Sequence, residues 1–152
     1  MSSHDFMPAE TKNETPEQRA RRIVDQMMAR DAFSQWLGIE VLAVTPGRAV
    51  VRMTVRPEML NGFAVAHGGI AFALADSALA FASNTCGSVT MTLESSVFFA
   101  TPVRAGDVLT ATAEEVSAGN RVALYDVVVT RADGTRVAFV RGTVYRTKQP
   151  HA

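Results

Sequence analysis

The sequence contains little of what disulfides, metal centres and membrane spans require. It has one cysteine, Cys86, and three histidines, of which His4 and His151 lie near the chain ends. One cysteine excludes an internal disulfide, and no cluster of ligating residues has metal-site spacing. No apolar run approaches the roughly 18 residues of a membrane span, and the polar N-terminus lacks the apolar core of a signal peptide. We therefore expect a cytoplasmic protein without a metal.

Charge of one sign is also lacking, since 15 basic residues balance 15 acidic ones and the net charge is zero. This balance argues against a broad surface for nucleic acids or anionic membranes. The nucleophile elbow, the zinc-protease helix, the P-loop and the dinucleotide-binding glycine motif are absent. At 152 residues and 47% hydrophobic content, we expect one domain over 15–147, a mobile N-terminal tail over 1–14 and a C-terminal tail over 148–152.

What is present is an unusually apolar stretch, Ala66 to Gly87, that predicts a helix buried on all sides. Between Ile70 and Asn84 the only charged residue is Asp76, and most other positions are Ala, Leu or Phe. A buried carboxylate loses hydration, which is costly unless the group is paired, protonated or used in chemistry. The helix begins at His67-Gly68-Gly69, where free backbone N–H groups and the positive end of the helix dipole favour an anion.

The remaining segments predict an antiparallel α+β fold. Thr15, Pro16 and Gln18 form a helix start, and one N-terminal helix is expected over 15–37, ending at Gly38. Alternation predicts strands over 39–45, 48–56, 91–100, 108–117, 121–131 and 136–146. An antiparallel sheet with the central helix against one face fits this order. The strand around Val127 is apolar on both faces, which indicates that a second subunit covers part of the sheet.

The Gly68 amide and the Asp76 carboxylate are the strongest candidates for chemistry. An amide can stabilise an oxyanion, and a carboxylate can act as a base or nucleophile. Eight residues of helix separate them by roughly 12 Å, too far to serve one carbonyl. If both act, they come from different chains, with two helices antiparallel across a two-fold axis. The alternatives are an Asp76 hydrogen-bonded to Ser77 or to backbone, and a plain loop-to-helix transition at the glycines.

Cys86 is not expected to be catalytic. It lies at the far end of the helix that begins at His67, and the intervening residues span roughly 27 Å. A cysteine and a histidine so far apart cannot pair within one chain. A small, buried apolar side chain is therefore the better interpretation of Cys86.

Two long segments carry a resemblance to a known family. The run NGFAVAHGGIAFALADSALAFASN over 61–84 and the run SSVFFATPVRAGDVLTATAEEV over 95–116, with the later GNR turn and FVRGTVYR, resemble hotdog-fold acyl-CoA thioesterases of the phenylacetate-degradation type. The resemblance covers roughly 38–146. It implies a long central helix wrapped by a curved antiparallel sheet, here with an extra N-terminal helix. It also implies assembly as dimers, usually as dimers of dimers.

The resemblance further implies roles for individual residues. Asp76 matches the catalytic acid, acting as nucleophile or as general base for water. Gly68 matches the residue whose backbone N–H polarises the thioester carbonyl. Asn61 matches a loop asparagine near the attacking group, and His67 precedes the glycine as in the family.

Substrate-binding positions follow from the same resemblance. Ser77 and Gly69 flank the catalytic positions, and Thr92 fits a strand position whose hydroxyl often helps to hold the water, although an ordinary strand threonine is nearly as good an interpretation. Phosphate groups of coenzyme A could bind Arg104, Arg121, Arg141 or Arg146, each of which could equally be a solvated arginine. Three apolar residues could line an acyl pocket or belong to the core: Phe63, Phe72 and Leu79.

The implied function is hydrolysis of an aryl-acyl-CoA, phenylacetyl-CoA or a ring-hydroxylated form, to the free acid and coenzyme A. No metal or redox cofactor is implied, because coenzyme A is part of the substrate. The expected partners are this substrate and further copies of the chain, with no nucleic acid and no membrane. Two alternatives remain, a non-catalytic acyl-CoA-binding hotdog module and a hotdog hydratase or dehydratase.

Overall fold

The computed structural model describes residues 13–152, which form two short N-terminal helices, a long helix and six strands. The N-terminal pair is followed by a β-hairpin, a loop, the long helix and four more strands. In chain order the elements are α1 (Pro16–Arg30), α2 (Ala32–Leu37), β1 (Glu40–Thr45), β2 (Arg48–Thr54), a 3-10 turn (Pro57–Met59), α3 (Gly68–Asn84), β3 (Ser88–Phe99), β4 (Val108–Ala118), β5 (Val122–Arg131) and β6 (Arg136–Pro150).

The six strands form one antiparallel sheet in the order β1-β2-β4-β5-β6-β3, and α3 lies against one of its faces. The core is the contact between α3 and the inward positions of the strands. Fully buried side chains from the helix, from β2 and from β4 to β6 meet there, including Leu74, Leu79, Phe81, Val51, Met53, Leu109, Val127, Val129 and Val140. The predicted hotdog arrangement of a long helix against an antiparallel sheet is confirmed. No helix within residues 13–152 is long and apolar enough to cross a membrane.

The N-terminal helix differs from its prediction because it is broken at Asp31. Its start is as expected, since the Thr15 side chain and Gln18 form a reciprocal capping box, and Gly38 ends the second helix with a left-handed φ of +75°. Between them, the Asp31 carboxylate accepts a hydrogen bond from the Ser34 N–H at 2.9 Å. Asp competes with the helical backbone for such donors and so favours caps over helix interiors. The single helix predicted over 15–37 is therefore two helices.

The two chain ends were predicted as tails, and the structure tests mainly the C-terminal one. Residues 1–12 of the predicted mobile tail lie outside the described residues, but Glu14 forms an ion pair with Arg22 at 2.7 Å. At the other end β6 continues to Pro150, which pairs with Ser88. The next residue, His151, donates its backbone N–H to the Gly87 carbonyl at 2.9 Å. The predicted C-terminal tail over 148–152 is thus corrected, because most of it pairs with β3.

Close approach between β6 and α3 depends on Gly142. A Cβ built at this glycine would lie 2.6 Å from Leu79 Cδ2 and 3.0 Å from Ser95 Oγ, and Leu79 is fully buried. A side chain at position 142 would force the buried Leu79 side chain or the Ser95 hydroxyl to shift. Gly142 therefore allows β6 to pack closely against Leu79 on the long helix.

We predict that Gly142→Ala lowers the free energy of unfolding by about 1–3 kcal/mol, because the added methyl group overpacks a filled core. Urea unfolding followed by circular dichroism measures this loss. Gly62→Ala is the matched control, since a Cβ there meets nothing within 4 Å, and it should stay within about 0.5 kcal/mol of wild type. Equal stability of the two variants would contradict the close packing of β6 on α3.

Candidate active site

The first turn of α3 leaves one backbone donor free. His67 is the N-cap, and its Nδ1 accepts a hydrogen bond from the Gly69 N–H at 2.9 Å. A nitrogen that accepts carries no proton, so the proton of the neutral ring sits on Nε2. Gly68 is the first residue of the helix, and its N–H has no acceptor within residues 13–152. Of the two glycine amides, that of Gly69 is therefore hydrogen-bonded, whereas that of Gly68 has no acceptor among the described residues.

An apolar cleft of about 290 Å³ lies beside this free amide. Gly68 contributes to its wall, and the ring of Phe99 covers the Gly68 Cα so closely that a Cβ there would lie 3.0 Å from Phe99 Cζ. The other walls come from the loop before α3, the segment after β3 and the start of β6, including Val65, Ala66, Ala100, Pro102, Val103 and Val137. A helix N-terminus beside apolar walls favours a group that is uncharged at rest and develops negative charge on oxygen.

Asn61 shapes the loop that leads into the helix. Its Oδ1 accepts from the Phe63 N–H at 2.8 Å, and its backbone N–H donates to the Val65 carbonyl at 2.8 Å. Ala64, at the tip of this turn, has a left-handed φ of +58°. Asn61 therefore fixes the approach to His67, while its Nδ2 donors have no partner within the part of the chain that the structure describes.

Asp76 lies two turns beyond Gly68 and is half-buried. Burial raises the pKa of its carboxyl above the ordinary value, and repulsion from Asp31 raises the pKa further. No hydrogen bond to this carboxylate forms within residues 13–152. The alternative in which Ser77 hydrogen-bonds to Asp76 is not observed, because the Ser77 hydroxyl lies 2.9 Å from Ser34 Oγ. The acid is partly desolvated, has no hydrogen-bond partner among the described residues and is repelled by Asp31.

The structure does not bring Gly68 and Asp76 together within one chain. Both lie on α3, which runs from Gly68 to Asn84 without a break, so the eight residues between them correspond to a rise of roughly 12 Å. A single thioester carbonyl cannot touch both groups of the same helix.

One stripe of α3 is left without full cover by the rest of the chain. Gly69 is exposed, and Phe72, Ala73, Asp76 and Ala80 are half-buried, whereas ten of the seventeen helix residues are buried. Spacings of three and four residues place the stripe on one face of the helix. The edge strand β3 also exposes apolar side chains, namely Met91, Leu93, Val97, Phe98 and Phe99.

The remaining predicted residues fall into different surroundings. Thr92 is exposed on β3 and pairs with Val144, just before an irregularity at Glu94. Of the acyl-pocket candidates, Leu79 is fully buried in the core, Phe72 packs partly against it, and Phe63 is 88% exposed. Leu79 is therefore core and cannot line a pocket.

The four arginines are unequally available for phosphate. Arg141 forms a two-pronged pair with Asp126 at 2.7 and 2.8 Å, and Arg146 binds Glu115 at 2.8 Å. Arg121 donates to a backbone carbonyl at 3.4 Å. The Arg104 guanidinium forms no ion pair within residues 13–152. Across the same residues, no group of three or more His, Cys, Asp and Glu side chains could hold a metal ion.

Comparison with known proteins identifies the family. The model of the thioesterase superfamily matches residues 63–138, which include α3, β3, β4, β5 and the first residues of β6. The chain belongs to the thioesterase superfamily. It is 39% identical to acyl-coenzyme A thioesterase PaaI of Escherichia coli over 79% of this chain and 86% of that protein. It is also 37% identical to a putative esterase of Archaeoglobus fulgidus over 87% of this chain and 86% of that protein.

Solved thioesterase structures share the fold. The E. coli PaaI protein from the phenylacetic acid degradation operon superposes with a TM-score of 0.88, covering 90% of this chain and 99% of that one. A hypothetical thioesterase of Streptococcus pneumoniae, solved with coenzyme A, gives a TM-score of 0.77 at 29% identity, covering 83% and 98%. Two solved variants of that protein replace an aspartate and a threonine by alanine at positions sixteen residues apart.

We predict that Asp76→Asn makes this thioesterase more stable at pH 7. Because the pKa of folded Asp76 is raised, its contribution to stability is greatest below the ordinary value of 3.8 and is lost as the pH rises through the folded pKa. The neutral amide of asparagine removes that loss. The free energy of unfolding of the variant should therefore exceed that of wild type at pH 7 and equal it near pH 3. Urea unfolding across this pH range measures the difference.

Asp133→Asn provides a control of opposite sign. Hydrogen bonds from Thr135 lower the pKa of Asp133, which lies in an exposed turn. Ionised Asp133 therefore favours folding above the ordinary pKa, and its neutral variant should gain nothing at pH 7. If Asp76→Asn is less stable than wild type at neutral pH, the ionised Asp76 carboxylate has a stabilising partner and its pKa is not raised.

Proposed function

We propose that this protein hydrolyses acyl-CoA thioesters, and that its substrates are aryl-acyl-CoA molecules such as phenylacetyl-CoA or its ring-hydroxylated forms. One observation carries the proposal: the same helix holds a free amide at its N-terminus and an unpaired, half-buried carboxylate on its uncovered stripe. The similarity to E. coli PaaI supports the acyl-CoA substrate. The apolar cleft beside Gly68 is consistent with an aromatic acyl group.

In the proposed reaction the thioester oxygen accepts a hydrogen bond from the Gly68 N–H, and the helix dipole strengthens that bond as negative charge develops. Ionised Asp76 then acts in one of two ways. It attacks the carbonyl carbon, expelling the coenzyme A thiolate and leaving an anhydride that water cleaves, or it removes a proton from the water that attacks. A raised pKa makes its carboxylate a stronger base near neutral pH.

Residues around these two groups have supporting roles in the proposal. His67 holds the glycine turn through Nδ1, and Asn61 fixes the loop and offers Nδ2 to the attacking group. Thr92 is sixteen residues beyond Asp76, the same spacing as the aspartate and threonine replaced in the S. pneumoniae thioesterase. We assign to the exposed Thr92 hydroxyl the positioning of water.

The arginine contacts narrow the proposed phosphate partners. Arg141 and Arg146 already neutralise carboxylates, so their charge is poorly available to a ligand. Arg104 and Arg121 are the better candidates for the phosphates of coenzyme A. We further propose a cytoplasmic enzyme that needs no cofactor, since coenzyme A enters with the substrate.

The proposed site is shared between two chains. Phe72 lies midway between Gly68 and Asp76, so a two-fold axis passing beside it places each Gly68 opposite the partner's Asp76. The small side chains of Gly69, Ala73 and Ala80 on the uncovered stripe allow two helices to approach closely. The exposed apolar residues of β3 supply further area for a dimer, and the family resemblance suggests a dimer of dimers.

A purely binding module is a weaker candidate. Such a protein would keep the cleft, but it would gain nothing from a carboxylate that is half-buried, repelled by Asp31 and without a hydrogen-bond donor among residues 13–152. These costs make sense when the carboxylate reacts.

We predict that Asp76→Asn and Gly68→Pro each lower kcat for phenylacetyl-CoA by about 10²-fold or more. Proline removes the amide hydrogen without breaking a helical hydrogen bond, since that N–H has no helical acceptor and proline is well tolerated at the first helical position. The rate at which free coenzyme A thiol is released measures kcat for both variants. Gly68→Ala is the matched control, because it adds the same Cβ near Phe99 but keeps the N–H, and its loss should be much smaller. Equal losses of kcat in the proline and alanine variants would show that the Gly68 N–H does not stabilise the oxyanion.

A mixing experiment tests whether the site spans two chains. Co-expressed Asp76→Asn and Gly68→Pro subunits form mixed dimers in which one site has both intact groups and the other has neither. Random pairing should restore about a quarter of the wild-type activity, although each variant alone is nearly inactive. Absence of recovery in purified mixed dimers would show that both groups act within one chain.

A further inference from the structure

The break between α1 and α2 contains a carboxylate that reaches towards the catalytic helix. Asp31 Oδ1 accepts the Ser34 backbone N–H at 2.9 Å, and Oδ2 accepts the Ser34 hydroxyl at 2.6 Å. Ser34 Oγ lies 2.9 Å from the hydroxyl of Ser77 on α3. Ser34 is fully buried and Ser77 is 8% exposed, so this contact is part of the interior.

The number of available protons determines which hydroxyl donates in the hydrogen bond between Ser34 and Ser77. Each serine hydroxyl has one proton to donate, and an ionised carboxylate can only accept. Since the Ser34 hydroxyl donates to Asp31, the Ser77 hydroxyl must donate to Ser34 Oγ. Two buried hydroxyls therefore point in sequence from α3 to the Asp31 carboxylate, beginning at the residue next to Asp76.

We propose that Asp31 is a positioning residue for Asp76: its negative charge, held in place by Ser34 and Ser77, stands beside the turn of α3 that carries the catalytic carboxyl and disfavours ionisation there. The kinetic consequence rests on the function proposed above, whereas the electrostatic effect does not. Asp31 would thus adjust the basicity of Asp76 without touching substrate.

Among the charged residues around Asp76, Asp31 is the one that affects its ionisation. Apart from burial, the only charge that shifts the pKa of Asp76 is that of Asp31, and no cation within the described chain lowers it. Many other charged side chains on the elements packed against α3 form ion pairs: Arg22 with Glu14, Arg21 with Asp25, Arg48 with Glu114, Arg52 with Glu40, Arg131 with Asp133, Arg141 with Asp126 and Arg146 with Glu115. Five more form no ion pair within residues 13–152, and none of them shifts the pKa of Asp76: Glu17, Arg19 and Arg30 on α1, and Arg136 and Lys148 on β6. Glu94 on β3 contacts the Thr143 hydroxyl, and α2 itself carries no charged residue.

The direct test follows the Asp76 carboxyl by ¹³C NMR during a pH titration, with Asp76→Asn used to assign its signal. Asp31→Asn should move the titration midpoint of Asp76 to lower pH, because it removes the repelling charge. Asparagine is a good N-cap and keeps an acceptor for the Ser34 N–H, so α2 should stay folded. Asp31→Ser, a second neutral cap, should shift the midpoint in the same direction.

Two controls separate charge from packing. Asp25→Asn makes the same change in net charge on an exposed face of α1 and should leave the midpoint unchanged. Ser34→Ala removes the hydroxyl contact, but the Asp31 charge remains and still accepts the backbone N–H of residue 34, so the midpoint of Asp76 should fall much less than in Asp31→Asn. An unchanged midpoint in Asp31→Asn, or an equal fall in Ser34→Ala, would overturn the proposal.

Kinetics give a second measurement that a purely structural role would not change. If Asp76 must be ionised to act, the acid limb of the kcat/KM profile for phenylacetyl-CoA should move to lower pH in Asp31→Asn, while the plateau falls because the base is weaker. A wild-type protein that releases no thiol from any thioester would defeat the proposed hydrolysis, and the NMR midpoints would still decide the role of Asp31.

Discussion

The burial of α3 against the sheet is the interaction on which the rest of the structure depends. Ten of its seventeen residues are buried, and each fully buried leucine or phenylalanine contributes about 1.5–3 kcal/mol. The absence of a side chain at Gly142 lets β6 approach within contact of Leu79. This packing fixes where the helix begins and which face it leaves uncovered. The free Gly68 amide and the Asp76 carboxylate are therefore held by the core rather than by flexible loops.

The same packing explains why the protein tolerates the Gly68 amide and the Asp76 carboxylate, although both reduce its stability. A core that supplies many apolar contacts can absorb one desolvated acid and one unpaired amide, because each costs only a few kcal/mol. A sequence selected for stability alone would replace both. Their presence on one helix, beside an apolar cleft, agrees with the general tendency of active sites to reduce stability where function requires it.

Local patterns predicted α3 and the strands well, because composition and alternation depend on neighbouring residues. They failed at Asp31, because one helix was predicted over 15–37 and the Asp31 side chain instead caps the start of a second helix. The spacing of Asp31 and Ser34 was a readable capping signal. The end of β6 could not be read from its polar residues 147–150, since their structure depends on pairing with β3. The contact between Ser34 and Ser77 joins residues 43 positions apart, and no local pattern indicates it.

The separation of Gly68 from Asp76 has a chemical consequence of its own. If the carboxylate could reach the amide within its own chain, it would accept that hydrogen bond, and the acid and the donor would both be neutralised before substrate arrived. A distance of roughly 12 Å along one helix prevents this. In the proposed antiparallel dimer, the two groups face each other across a gap that the thioester carbonyl fills, so each remains unsatisfied until the reacting atoms lie between them. A site shared between two rigid helices thus keeps the carboxylate and the amide unsatisfied, which costs stability but preserves their reactivity. If the two groups could meet within one chain, they would pair, and both the cost and the reactivity would be lost.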